Sequence, residues 1–222
     1  MALAQEQVSV TLLSRRRAAL ERAATHIEDA TGHRPRVIDC DIATPQGQDK
    51  ALASGPYDIL VTNAGGPPSK DFRALSPEDW LAALNANLLS AVALIRGSVD
   101  AMIGNGFGRI VNITSLSVRM PVERLDLSTT ARLGLTGYVA GVARQVARHN
   151  VTVNNLLPGT IMTERIKELG ETADRLIAKV PAGRGGQPEE FGAVCAFLCG
   201  TPAAYITGQN LLVDGGLCPI TV

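Results

Sequence analysis

Six short runs rich in β-branched residues, each followed by a stretch with helical periodicity, constrain this chain more than any other feature. The runs are VSVTLLS (8–14), RVIDCDI (36–42), YDILVTNAG (57–65), GRIVNITS (108–115), VTVNNLLPG (151–159) and NLLVDGG (210–216). They are almost continuously apolar rather than alternating, which suits strands covered on both faces. Helices are predicted over 16–30, 46–53, 77–103, 128–149, 163–179 and 188–198. Ser76-Pro77-Glu78-Asp79 is a strong helix start, with a capping hydroxyl, a first-turn proline and acids at the positive end of the helix dipole. Strand and helix in alternation predict an α/β fold, a doubly wound parallel sheet with right-handed crossovers. No repeat, low-complexity tract or Pro/Gly-rich linker divides the chain, so one domain over residues 1–222 is expected.

Composition narrows the partners. With 222 residues and 45% hydrophobic content the chain can bury one sizeable core. Its 21 basic and 21 acidic residues cancel, leaving no field to attract nucleic acid or an anionic membrane. The longest apolar run, 88–95, is interrupted by Ser90 and closed by Arg96, which argues against a membrane span. The N-terminal residues lack a basic lead-in and run into arginines, a poor match to a signal peptide. Four cysteines form no Cys-x-x-Cys and no disulfide framework. Cys195 and Cys199 lie one helical turn apart without a histidine or acid at ligand spacing, so they are read as buried thiols, with no metal site. A reducing, cytoplasmic setting follows.

In such sheets ligands bind at the carboxyl ends of the strands. There the chain places Ser14-Arg15-Arg16, Asp41, Asn63-Ala64-Gly65-Gly66, Ser115 and Pro158-Gly159. Each has an ordinary reading alone: Asn-Ala-Gly-Gly and Pro-Gly make turns, and Ser115 can cap one. Five on one edge favour a ligand site. Gly104 to Gly108 resembles a phosphate loop in composition, but it follows a helix and precedes a strand, so a helix cap and turn is expected.

The chain resembles the short-chain dehydrogenase/reductase family throughout its length. The likeness rests on NAGG after a strand, Asn87 in the long helix, IVNITS ending at Ser115, VTVNNLLPGTIMT, and the tail GRGGQPEEFGAVCAFLCGTPAAYITGQNLLVDGG. The tail resembles the 3-oxoacyl-carrier-protein reductase branch. The resemblance implies a Rossmann-like fold and hydride transfer between NADP(H) and a small carbonyl or alcohol substrate. It implies Ser115 as the serine that binds the substrate oxygen and Asn87 as the asparagine of the proton relay. The tyrosine slot, thirteen residues beyond Ser115, holds Ser128, and the lysine slot holds Arg132. An aliphatic hydroxyl is a weaker acid than a phenol, whose pKa is about 10. Arginine stays protonated and cannot carry a proton as lysine can. No Tyr-x-x-x-Lys occurs anywhere in the chain. The pattern is similar to a divergent subgroup with serine and arginine in these slots, Gly-Gly-Pro-Pro after Asn-Ala, and a basic residue after the serine, here Arg119. Arg119 is read either as a holder of an anionic or carbonyl group or as a surface arginine.

For the cofactor, the resemblance implies that Arg15 and Arg16 meet a 2′-phosphate, favouring NADP over NAD, which an acid would signal. It implies Asp41 at the adenine, Asn63, Ala64 and Gly65 along the adenosine, and Pro158, Gly159, Ile161 and Thr163 at the nicotinamide carboxamide. The family's opening strand and glycine-rich turn have no counterpart, since no glycine precedes Gly32. Removing a central strand forfeits backbone bonds at about 1 kcal/mol each and buried side chains at roughly 1.5–3 kcal/mol each. Three outcomes are expected: 8–14 pairs directly with 58–63, another chain fills the place, or the sequence is an incomplete form of a protein about thirty residues longer. Two functions follow: an NADP-preferring oxidoreductase, impaired or not in this form, or a non-catalytic homologue serving as a binding or assembly scaffold. Gly134, Gly137, Ala140 and Gly141 form a smooth stripe at turn spacing, which with the family habit implies a homodimer or homotetramer.

Overall fold

The computed structural model describes residues 1–220, with Arg165 described by its backbone alone. A short helix α1 (Ala2–Gln5) precedes β1 (Thr11–Ser14), α2 (Arg17–Thr31), β2 (Arg36–Asp39), α3 (Pro45–Leu52) and β3 (Ile59–Asn63). Then come α4 (Pro77–Leu84), α5 (Ser90–Asn105), β4 (Gly108–Ile113), α6 (Asp126–Val146), β5 (Val151–Pro158), α7 (Glu164–Lys167), α8 (Glu171–Ile177), α9 (Pro188–Cys199) and β6 (Asn210–Val213). All six expected strands are present, shorter by a few residues at their ends. Every ladder is parallel, as an α/β doubly wound fold requires.

Two helical expectations change. The stretch expected as one helix over 77–103 is α4 and α5 joined by one π-helical segment, Asn85–Leu89. The stretch over 163–179 is broken by Gly170, whose φ of +52° halts one short helix and starts the next. The expected helix start at Ser76 is a full capping box: Ser76 accepts from the Asp79 amide, and the Asp79 carboxylate accepts from the Ser76 amide. Gly106, at φ +65°, ends α5 as a left-handed cap, so the glycine-rich run is the expected turn.

The strands form two separate sheets, β1–β2 and β3–β4–β5–β6. Direct pairing of 8–14 with 58–63 is therefore not formed; the ladder partner of β1 is β2. Helix α2 buries Leu20, Ala24 and Ile27 and makes β1 and β2 one unit. β3 is held instead by β4 and α5. The burial pattern records the difference. Nearly every residue of β4 and β5 is buried, whereas all four residues of β1 are half-buried and Val61 of β3 is 37% exposed. A cleft of about 1070 Å³ lies between the two units at the amino ends of the strands, lined by Val8–Thr11, Arg36, Asp58, Ile59 and Phe107 among others.

The four-stranded sheet is covered on both faces. Ile110, Val151 and Val153 pack with Ile95 and Met102 of α5 and with Leu135, Val139 and Ala143 of α6. Val111 and Leu156 face the other way, against Cys195, Leu198 and Cys199 of α9, with Leu3 of α1 beside them. Cys195 and Cys199 are thus core thiols. Residues Pro77–Asn105 are long and apolar enough, by length and composition, to cross a membrane, which the sequence reading did not anticipate. In this fold Ala91, Leu94, Ile95, Ser98 and Met102 of that stretch are buried within the protein.

One charged residue closes the bottom of the sheet. Arg109, 1% exposed, donates to the carbonyls of Gly108, Asn150 and Gly200 and to Asn150 Oδ1, and its guanidinium stacks over Phe107 at 4.4 Å. Burial pulls its pKa below the ordinary arginine value. Replacing it would leave three carbonyls short of a donor, at about 1–3 kcal/mol each where water cannot substitute. Arg109→Met is expected to destabilise the protein by about 3 kcal/mol, read as a lower denaturant midpoint. Arg109→Lys, lacking the fork, should recover little of it.

Candidate active site

Because all strands within each sheet run the same way, the residues that follow them gather on one edge. After β3, Asn63 leads into Ala64 and Gly65. The Ala64 carbonyl accepts from Arg132 Nη2 at 3.2 Å, and Arg132 Nη1 donates to Ser128 Oγ in a very short bond. Ser128 and Arg132 lie one turn apart on α6, 5% and 8% exposed. The guanidinium thus ties α6 to the turn after β3. An arginine fits because two of its planar nitrogens reach two acceptors at once.

Asn87 sits in the π-helical segment between α4 and α5, a geometry that recurs at functional sites. It is 5% exposed; its amide nitrogen donates weakly to the Ala83 carbonyl at 3.4 Å, and its Oδ1 has no hydrogen-bond partner among the described residues. Asn63, Ala64, Asn87 and Arg132 line one small internal cavity together with Thr62, Ser90 and others, so four of the expected site residues do converge. An unpaired buried acceptor beside a guanidinium is costly unless a donor reaches it.

Ser115 stands apart from that cluster. Its hydroxyl accepts from the Ser117 amide at 3.1 Å and starts the 3-10 turn Leu116–Val118, the ordinary turn-capping role. No hydrogen bond among the described residues joins it to Asn87, Ser128 or Arg132. Its hydroxyl proton is left for another acceptor. Arg119, at the end of that turn, is exposed and makes no ion pair among the described residues.

On the β1–β2 side the expected pair divides. Arg15 approaches Asp41 at 3.8 Å, a loose contact between groups 75% and 39% exposed and worth little in water. Arg16 is exposed at the start of α2, its backbone amide held by Ser14 Oγ. The Asp41 carboxylate also accepts from the Ala43 amide, and Gly47 lets α3 close over the Asp41 carbonyl, where a Cβ would stand 1.9 Å away. The Asp41 turn is therefore built by local contacts.

At the end of β5, Pro158 pairs with Val213 and the Gly159 amide donates to the Val213 carbonyl. A Cβ on Gly159 would stand 2.6 Å from Asp214 Cα, so only glycine lets these two strand ends pass. Ile161 is held by a parallel bridge to Gly186, with the Met162 and Gly186 amides bonded across it. Thr163 begins α7 with its side chain exposed and outside the capping bonds. The strap carrying Gly186 is anchored by Arg184, which grips both oxygens of Glu190 at 2.7 and 2.6 Å, while Glu190 also accepts from the Gln187 amide.

Sequence reading missed two features. Lys70 reaches back from the Asn63–Leu75 loop and grips both oxygens of Asp79, holding its carboxyl below the ordinary aspartate value. A row of polar side chains, Thr62, Asn112, Asn155 and Asn210, crosses the four-stranded sheet just below its carboxyl edge. The visible signal for the second was an asparagine recurring inside otherwise apolar strands.

The parallel α/β sheet, with Asn-Ala-Gly after β3 and a serine after β4, fits one enzyme class: the chain belongs to the short-chain dehydrogenase/reductase family. The family model described as enoyl-(acyl carrier protein) reductase matches residues 1–218. Among its relatives is the 3-oxoacyl-[acyl-carrier-protein] reductase of Aquifex aeolicus, 34% identical over 98% of this chain and 89% of that protein. The acetoacetyl-CoA reductase of Cupriavidus necator is 34% identical over 82% of the chain and 74% of its own length. Among solved structures, YwfH, an NADPH-dependent reductase of bacilysin biosynthesis, superposes with a TM-score of 0.92 at 26% identity, over 99% of this chain and 91% of that one. The L-sorbose reductase of Gluconobacter frateurii, solved with NADPH and L-sorbose, reaches 0.91 at 28% identity, over 99% and 90%.

The Arg184–Glu190 anchor sets a pH dependence. Hydrogen bonds from Arg184 and from the Gln187 amide lower the Glu190 pKa from 4.5 to about 2. A depressed carboxylate stabilises the fold above its unfolded pKa and loses that contribution as pH falls through the folded one. The stability difference between wild type and Glu190→Gln should be constant above about pH 5 and vanish by about pH 2, measured by urea midpoints across that range.

Proposed function

We propose that this chain is a reductase that uses NADP(H) to interconvert a small carbonyl compound and its alcohol. The observation that carries the reading is the Arg132 bridge between Ser128 and the Ala64 carbonyl, which joins the active-site helix to the cofactor-side turn. The relatives' printed activities, reduction of acetoacetyl-CoA, of 3-oxoacyl thioesters and of L-sorbose, all involve a carbonyl carbon.

The residues present fit two ends of the cofactor. A Cβ on Gly65 would meet nothing within 4 Å, so packing does not require glycine there; an adenosine lying against the turn would. The exposed Arg16, at the positive end of the 15-residue α2, suits a 2′-phosphate better than Arg15, which leans on Asp41. Pro158, Gly159, Ile161 and Thr163 would face the nicotinamide end, and Asp41 the adenine. For the central diphosphate the described residues offer no glycine-rich turn.

Bound, the cofactor supplies or takes up the hydride at the carbonyl carbon. In the reducing direction the oxygen gains negative charge and must gain a proton. Ser115 can donate a hydrogen bond to that oxygen, since its Oγ is fixed by the Ser117 amide and its proton is not otherwise used. Ser128 accepts from Arg132, so its own hydroxyl proton points away from the guanidinium, and the positive charge supports transfer of that proton to the oxygen. Asn87 Oδ1 can receive a water that resupplies Ser128. Exposed Leu81, Leu89 and Leu133, with open space over Gly137 and Gly141, suit a homo-oligomer built on α4 to α6, acting in the cytoplasm.

Purified protein should oxidise NADPH, followed at 340 nm, with at least one of acetoacetyl-CoA, a 3-oxoacyl thioester and L-sorbose. Ser115→Ala should lower kcat by about 100-fold or more. Arg16→Ala should weaken NADPH relative to NADH by about tenfold. A well-folded protein that gives no calorimetric signal with NADPH would instead indicate the scaffold reading.

A further inference from the structure

We propose that Lys70 is a positioning residue for the carbonyl side of the site, acting through its clamp on Asp79; this rests on the reductase reading above. Residues 64–87 make one excursion away from the sheet. It starts at Ala64 and ends at Asn87, and both line the same small cavity. A shift along the excursion is therefore felt at the cavity from both ends.

Two grips hold the excursion. Arg132 holds its first residue, by the Ala64 carbonyl at 3.2 Å. Lys70 Nζ donates to both oxygens of Asp79, at 2.8 and 2.7 Å, and pins the loop to the first turn of α4. Among the described residues, the other hydrogen bonds of 65–75 are local, all within Asp71–Ala74. The 3-10 turn Phe72–Ala74 is the loop's one regular element among the described residues. Without Lys70 this loop has no anchor of its own, and the freedom it gains must be given up again when a ligand orders it.

Asp79 is a firm post for the clamp. Its carboxylate also accepts from the Ser76 amide at 3.0 Å, closing the capping box. That bond fixes it at the positive end of α4 independently of Lys70. Its side chain is 19% exposed against 40% for Lys70, so the pair is screened less than an open surface pair. α4 packs on α6, the helix of Ser128 and Arg132, and runs through the π-helical segment to Asn87. The grips divide the work: Arg132 serves the cofactor-side turn, and Lys70 the half that leads to the carbonyl.

Lys70→Met keeps the aliphatic stem and removes the charge; Lys70→Arg keeps a charged donor. Asp79→Asn keeps an acceptor for the Ser76 amide and removes the negative charge. Chymotryptic cleavage after Phe72, an exposed residue of the loop, should quicken about fivefold in Lys70→Met and in Asp79→Asn, and no further in the double variant. KM for the carbonyl substrate should rise about three- to fivefold in the same variants, with kcat and the NADPH dissociation constant within about twofold of wild type. Lys70→Arg should match wild type in every measurement. Unchanged cleavage in Lys70→Met, quickened cleavage with an unchanged KM, or NADPH binding weakened as much as KM rises would each overturn the proposal. A wild type that turns over no carbonyl compound sinks the reductase reading and the proposal with it. A wild type that turns over, beside a Lys70→Met of equal KM, sinks the proposal alone.

Discussion

Parallel pairing among β3, β4, β5 and β6 is the constraint on which the rest of the molecule depends. A parallel ladder puts every carboxyl end of the sheet on one side, and crossovers in helices then cover both faces. The chain meets this with Ile110, Val151 and Val153 on one face and Val111 and Leu156 on the other. Asn63, Ser115 and Pro158 reach a common edge because they follow strands locked in one register, not because they attract one another. Their placement is thus set by the sheet. Arg109 at the opposite edge serves the same end, since three backbone carbonyls from separate segments converge on its guanidinium.

The separation between β1–β2 and β3–β6 is the departure from that order, and its effects are local. Doubly flanked β4 and β5 are buried; singly flanked β1 and β3 are not. Unpaired edges of this kind are templates for pairing, and Val61 of the β3 edge strand is 37% exposed. The two units nevertheless superpose together on solved reductases with TM-scores above 0.9, so their relative placement is that of the family. The β3 tip has a strand neighbour on one side only, and there side-chain bonds from Asn112 and Arg132 concentrate.

Much of the fold was legible because its signals are periodic. Apolar runs of strand length, the Ser76 box and the Gly106 cap each act through neighbours in sequence, and all three appear where expected. Gly170 was harder to read: its break depends on a φ of +52° that the surrounding polar, helix-forming residues did not advertise. The site was legible by position but not by contact. Ser128 and Arg132 could be placed in their slots by spacing, yet the Ala64 carbonyl that Arg132 holds lies 68 residues away in sequence. Arg15 was expected beside Arg16 as an equal partner, but its side chain turns to Asp41, a choice made by the β2–α3 turn.

The serine and arginine on α6, Ser128 and Arg132, follow from the same geometry. A phenol carries its hydroxyl outward on a rigid ring; a serine at Ser128 keeps its oxygen close to the helix, 5% exposed. On the proposed function, a carbonyl would approach Ser128 more closely or a water would span the distance. Arginine at position 132 suits that arrangement because its planar fork reaches two acceptors at once. Its fork spends two donors on fixed acceptors, one in the helix and one in the turn after β3. A lysine there could carry the charge but could not hold both acceptors in one plane. On the proposed function, serine and arginine at these two positions exchange a mobile proton carrier for a rigid joint between α6 and the turn after β3.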